Sequence, residues 1–244
     1  MTLASRLSRV GARAIAASSV AVVAALSATG AHAQTPPPGA LFDLAVTHPT
    51  PLAAYQQFSF SFVAGTANTT VSFAFREIPA YFAFDDASVS LHSGGANLLA
   101  DPGFESGVFG QTTPTGWGRF IQPITHSAIG QVATSTQTYG CNVAAHGGTN
   151  FWCDGSVEGY DGLFQTVATT IGQQYDVSFW LQDDSGVSIV NPGIDMLGYA
   201  AAGLPVGTVP VNPVPEPETY ALMLAGLAAL GAVARRRKST GKAA

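Results

Sequence analysis

Positive charge is nearly missing from the middle of this sequence. Arg6, Arg9 and Arg13 stand near the start, and Arg235, Arg236, Arg237, Lys238 and Lys242 near the end; only Arg76 and Arg119 lie between them. All fifteen acids fall between Asp43 and Glu218. The middle region therefore carries a formal charge of about −13, although the whole chain shows only −5. Such a surface repels phosphate backbones, so nucleic acid is excluded as an expected partner. Divalent cations and neutral glycans suit it better.

Other shortages narrow the function classes. The five histidines (His32, His48, His92, His126 and His146) show no metal-ligand spacing. No Gly-x-Ser-x-Gly elbow occurs. Paired carboxylates exist, but any acid-rich domain has pairs. An enzyme is not expected. Outside the two ends no helical period is sustained, and no repeat of fixed length is found. Lys, Glu and Leu are scarce in the middle, whereas Gly, Thr, Ser, Phe and Val are plentiful, which favours strands.

The two ends read as targeting segments. Residues 1–33 have the form of a Sec signal peptide: a basic stretch with the three arginines, an apolar block (IAASSVAVVAAL, residues 15–26) and the small-x-small site Ala31-His32-Ala33. A mitochondrial transit peptide is the alternative, but the compact apolar block and the Ala-x-Ala site argue against it. Residues 34–40 are a linker. At the other end, residues 210–218 are rich in proline, residues 219–234 are mostly apolar, and residues 235–244 begin with four consecutive cations. The apolar run is short for a full span, which wants about twenty residues. The cations should stay cytoplasmic, leaving the bulk of the chain outside. A buried C-terminal core helix is the alternative, and a basic cluster would end it poorly. In an exported chain Cys141 and Cys153 read as one disulfide rather than as nucleophiles; two buried free thiols are the alternative.

Pro215-Glu216-Pro217, the apolar segment and Arg235-Arg236-Arg237 together resemble the PEP-CTERM sorting signal, also known as the ice-binding protein C-terminal domain. The resemblance covers about the last thirty residues. It implies Gram-negative export, transient anchoring in the inner membrane, cleavage by an exosortase-type processing enzyme, and a place at the cell surface or outside it. It also implies association with exopolysaccharide production. It says nothing of what the exported domain binds.

Residues 41–209 read as an all-β sandwich. Phe58, Phe60 and Phe62 alternate with polar residues, as do Val71, Phe73 and Phe75. The turn-like residues 64–68 between them suggest a hairpin with one apolar face. Residues 81–91 form a third expected strand, disturbed at Asp85-Asp86, and residues 163–170 a fourth. Tyr175, Val177, Phe179 and Leu181 define one face of a fifth, which sends Trp180 to the other face with Asp176, Ser178 and Gln182.

Residues 97–105 (NLLADPGFE) with 114–117 (PTGW), then 162–167, 172–179 and 84–89, resemble strands of galactose-binding-like jelly rolls, the fold of many carbohydrate-binding modules. Here the closing strand precedes the opening one. This order suggests either one permuted jelly roll, with residues 84–91 beside 97–105, or two incomplete units, 40–92 and 97–209. The resemblance implies a structural calcium held by Glu105 with Asp85 or Asp86. Trp117 is expected in the core. The loop 152–161, with its acids and aromatics, is a second ligand candidate, against the plainer reading of an acidic loop. Trp180, Trp152 and Tyr160 are the candidate glycan contacts. Residues 183–186 read as an ordinary turn. Two functions stay open: a module for extracellular polysaccharide, or a structural spacer without a specific ligand.

Overall fold

Alternation of apolar and polar side chains decides much of this architecture, because it sets which face of a strand can be buried cheaply. The computed structural model describes residues 35–48, 51–78, 80–123, 130–157, 159–183 and 194–211. The leader, the Pro-Glu-Pro motif, the apolar segment and the basic tail lie outside the described residues.

In chain order the elements are β1 (Phe42–Asp43), α1 (Leu44–Thr47), β2 (Gln56–Val63), β3 (Asn68–Arg76), β4 (Phe82–Leu91), β5 (Gly118–Ile121), β6 (Gln131–Thr134), β7 (Asn150–Asp154), β8 (Asp161–Ala168), β9 (Gln174–Asp183), β10 (Asp195–Ala201) and β11 (Val209–Pro210). They form two antiparallel sheets. One has the order β1-β10-β3-β8-β5-β11, the other β2-β9-β4-β7-β6. This is a β-sandwich, as expected. The single turn of α1 is capped by the Asp43 carboxylate, which accepts from the Val46 N–H at 3.0 Å.

The inner faces meet in an aromatic cluster. Phe73 of β3 lies 4.8 Å from Phe84 of β4 and 5.4 Å from Phe179 of β9, ring centre to ring centre. Phe104 bridges Trp117 and Trp152. Each buried Phe removes enough apolar surface from water to contribute about 1.5–3 kcal/mol. Trp117 is in the core, as expected, with its indole N–H donating to the Asp101 carbonyl at 3.1 Å.

The expected hairpin of β2 and β3 is not formed. β2 pairs with β9, whereas β3 pairs with β8 and β10 in the facing sheet. The chain between them arches from one sheet to the other. Alternation reveals which face of a strand is buried, and both arrangements bury the same face. The two-unit alternative fails for the same reason. β2, β3 and β4 each pair with strands from beyond residue 97, so the segments share both sheets.

The opening segment 97–105 is not a strand, but it lies against β4. The Leu98 N–H donates to the Val89 carbonyl at 2.8 Å, and the Ala87 N–H to the Pro102 carbonyl at 3.1 Å. The Asn97 side chain accepts from the Val89 N–H and donates to the Ala87 carbonyl. The segment continues the line of β7, which pairs with β4 only from Phe82 to Phe84. The expected disturbance in β4 is a register shift between Asp85 and Ser88, where Asp86 has a φ of +46°.

Candidate functional site

The outer face of the five-stranded sheet carries the unusual chemistry. Along β9 the core side takes Tyr175, Val177, Phe179 and Leu181. Trp180 points outward and is half-buried. Its cross-strand neighbours are Gln57 of β2 and Asp85 of β4. Serines 59, 61, 88, 90 and 178 occupy the same face farther along, by register.

One end of this face is roofed by residues 135–147. The disulfide between Cys141 and Cys153 pins the roof to β7, with a Cα–Cα separation of 6.0 Å. Its loop spans 12 residues, and closing it in the unfolded chain is worth about 3 kcal/mol. Beneath the roof lie Ala83, Ala133 and Phe151, with Tyr55, Tyr81 and Val143 packed at the margin.

The roof ends at His146, and here the sheet holds it from three sides. The imidazole stacks on the Trp180 indole, with centres 3.8 Å apart and planes 17° from parallel. Its Nδ1 is 2.7 Å from Asp86 Oδ2. Tyr55 meets it edge-on at 5.4 Å. The lone histidine carried no spacing signal in the sequence, so this contact was not foreseen.

Asp85 anchors the same loop through its backbone. Asp85 Oδ2 accepts from the N–H groups of His146 (2.9 Å) and Gly147 (3.1 Å), and Oδ1 accepts from the Asp86 N–H (2.8 Å). Burial pushes the Asp85 carboxyl up to about 7, and the neighbouring Asp86 adds to the rise; the three N–H bonds pull the other way. Glu105 does a similar job one turn on. Its Oε1 accepts from the Thr149 and Asn150 N–H groups, both at 2.9 Å. Gly148, at φ +62°, leaves room for that carboxylate where a Cβ would collide with it.

The side chains of these three acids approach one another near Gly103. A Cβ built at Gly103 would lie 3.2 Å from Asp86 Oδ1, 3.5 Å from Asp85 Oδ1 and 4.0 Å from Glu105 Cγ. They fit a calcium ion in donor type, since all are oxygens. They do not fit it in number as placed: among the described residues no three such groups stand where they could share an ion.

Two of the three expected ring contacts are elsewhere. Trp152 is fully buried, and its indole N–H donates to Asp154 Oδ2 at 2.9 Å. Tyr160 is 1% exposed, and its hydroxyl donates to Asp195 Oδ2 at 2.6 Å. Neither ring can stack on a solvent-borne ligand. The loop 152–161 is correspondingly not an open ligand loop: residues 152–154 belong to β7 and are buried, and Glu158 lies outside the described residues. Consecutive Phe151 and Trp152 were the available signal, since a strand apolar on both faces is a covered strand. Of the turn expected at 183–186, Asp183 ends β9 and the rest lies outside the described residues.

Both arginines of the domain are also inside. Arg76 lies over the Tyr160 ring at 4.8 Å and Arg119 over the Trp152 ring at 5.3 Å. Arg119 Nη2 is 3.7 Å from Asp161 Oδ2.

Comparison with known proteins identifies the tail. Residues 213–238 match the PEP-CTERM protein-sorting motif. The match marks an exported protein that is transiently anchored in the membrane, processed by an exosortase-type enzyme and released to the surface. No curated protein and no solved structure matches the chain. Among the described residues no helix is long and apolar enough to cross a membrane; the apolar segment 219–234 lies outside them.

The state of Asp85 has a measurable consequence. Its carboxyl titrates near 7 in the folded chain but near 3.8 when unfolded. Between about pH 4 and pH 7 the folded chain thus holds a proton that the unfolded chain has released, so stability falls as pH rises through that window. In a series of melting curves, Asp85→Asn is expected to flatten this fall. An unchanged slope would assign the pH dependence to other groups.

Proposed function

We propose that the exported domain binds extracellular polysaccharide on the outer face of its five-stranded sheet. The observation that carries this reading is Trp180, an indole whose neighbours on the β2, β4 and β9 part of that face are Gln57, Asp85, Ser178 and Gln182. Half-exposed aromatics among polar neighbours are the usual platform for sugar rings, which offer C–H groups to the ring face and hydroxyls to nearby amides and carboxylates. Gln57 and Gln182 flank the indole by register and position. With acids as the only exposed formal charges of the described domain besides histidine, a neutral or amine-bearing glycan suits the face better than an anionic one. The sorting route supports the same reading, because it delivers the domain to the cell surface.

The spacer reading also has an observation in its favour. His146 already covers part of the Trp180 ring, so a sugar must meet the edge of that stack or displace the imidazole. Titration of tryptophan fluorescence with neutral polysaccharides separates the two. Trp180→Ala is expected to weaken binding at least tenfold while shifting Tm by no more than a degree or two. An absence of any saturable response in the parent chain leaves the spacer as the function; unfolding of Trp180→Ala would mark the ring as structural.

A structural calcium at Glu105 with Asp85 or Asp86 is a second part of the proposal. Its support is the approach of the Asp85 and Asp86 carboxylates and the Glu105 side chain to Gly103; to share an ion, Asp86 and Glu105 would have to turn from their present partners. A chelator is then expected to lower Tm, calcium to restore it, and Glu105→Gln to abolish the difference. Indifference to chelator leaves these acids as loop anchors only.

The tail gives a separate expectation. Mass spectrometry of surface-released protein should show every residue beyond the Pro215-Glu216-Pro217 region removed. Recovery of released chain still ending at Ala244 would contradict processing there.

A further inference from the structure

The two sheets have four outer edges, and three of them are blunted. β1 and β11 are two residues each, and β11 includes Pro210. The edge of β6 is covered by the loop 107–111: the Gly110 N–H donates to the Val132 carbonyl at 3.0 Å, and the Val132 N–H to the Gln111 carbonyl at 2.8 Å. The fourth edge is β2, eight residues long, which ends its sheet and pairs with β9 alone among the described residues. Its sequence, QQFSFSFV, has no charge and no proline.

Alternation of the ladder tells which backbone groups are open. The Ala64 N–H donates to the Gln173 carbonyl, in register with the β2–β9 pairing. Antiparallel partners exchange hydrogen bonds at every second residue, so Phe62, Phe60 and Phe58 also bond to β9. Gln57, Ser59, Ser61 and Val63 therefore aim their N–H and C=O groups away from the sheet, and their side chains lie on its exposed or outer side.

We propose that this edge pairs with the same edge of a second copy, antiparallel about a two-fold axis at Phe60. That register sets Gln57 against Val63 and Ser59 against Ser61, keeps core faces with core faces, and forms about eight backbone hydrogen bonds. Charge selects the edge. Two copies of a domain near −13 repel each other over most approaches. β2 is the long open strand with no formal charge, so two like chains can meet there. The pairing joins two five-stranded sheets into one and puts two Trp180 faces on the same side. Anchoring by the sorting tail concentrates the chains in a plane before release, which favours so small an interface.

Sedimentation equilibrium of the released chain, without glycan, tests this over roughly 1–500 µM. The weight-average mass is expected to rise towards twice that of the monomer. Ser59→Pro removes an N–H that β9 does not use, and is expected to hold the chain at monomer mass with its circular dichroism retained. Ser59→Glu gives a second readout should the proline variant misfold. It sets a carboxylate against Ser61 of the second copy, beside Asp176, which already accepts from the Ser61 hydroxyl at 2.6 Å. Association weakened at least tenfold in Ser59→Glu supports the edge. A parent chain that stays monomeric, or association unchanged in Ser59→Glu, overturns it.

Discussion

The contact of Phe73 with Phe84 and Phe179 is the constraint on which the rest depends. These rings come from β3 in one sheet and from β4 and β9 in the other, so a single cluster sets how the sheets face each other. It also draws residues far apart in sequence into one core. With the rings locked, the outer side chains of β9 and β4 have no freedom to exchange faces, because a one-residue slip would drive Trp180 and Asp85 inward. The outer face is thus a by-product of what the inner face must bury.

That outer face is held in a second way. Residues 135–147 cross it with one covalent tie at Cys141 and a set of hydrogen bonds at Asp85 and Asp86, and Glu105 holds the Thr149 and Asn150 N–H groups that follow. Asp85 is buried and Asp86 half-buried, and Asp85 sits beside N–H donors rather than beside an arginine. A buried carboxylate without a cation is costly, and proton uptake is its simplest relief. The same loop that covers Trp180 is therefore fastened at Asp85 by a carboxyl that burial pushes up to about 7.

Much of the fold was legible because period-two patterns are local. The faces of β9, the interruption of β4 at Asp85-Asp86 and the outward turn of Trp180 all follow from alternation. Partnership is not local, which is why β2 and β3 read as a hairpin although they belong to opposite sheets. The disulfide was legible from two cysteines in an exported chain. The site was legible in part. Trp180, Asp85, Asp86 and Glu105 were singled out and lie at one end of the outer sheet face, the acids gathered around Gly103. Trp152 and Tyr160 were misjudged, since acids and glycines nearby suggested a loop where β7 is covered on both sides. His146 was missed: an isolated histidine shows its purpose only through what stands across the sheet.

The interior placement of Arg76 and Arg119 has a consequence for life outside the cell. From residue 34 to residue 234 the chain has no lysine, and these are its only arginines. Proteases that cut after basic residues require an exposed, extended segment around the scissile bond. Arg76 ends a central strand, and Arg119 sits in β5 between two neighbours. The folded domain accordingly offers such enzymes no point of attack, and nothing for amine-directed reagents to acylate along its length. The remaining basic residues stand before residue 14 and after residue 234.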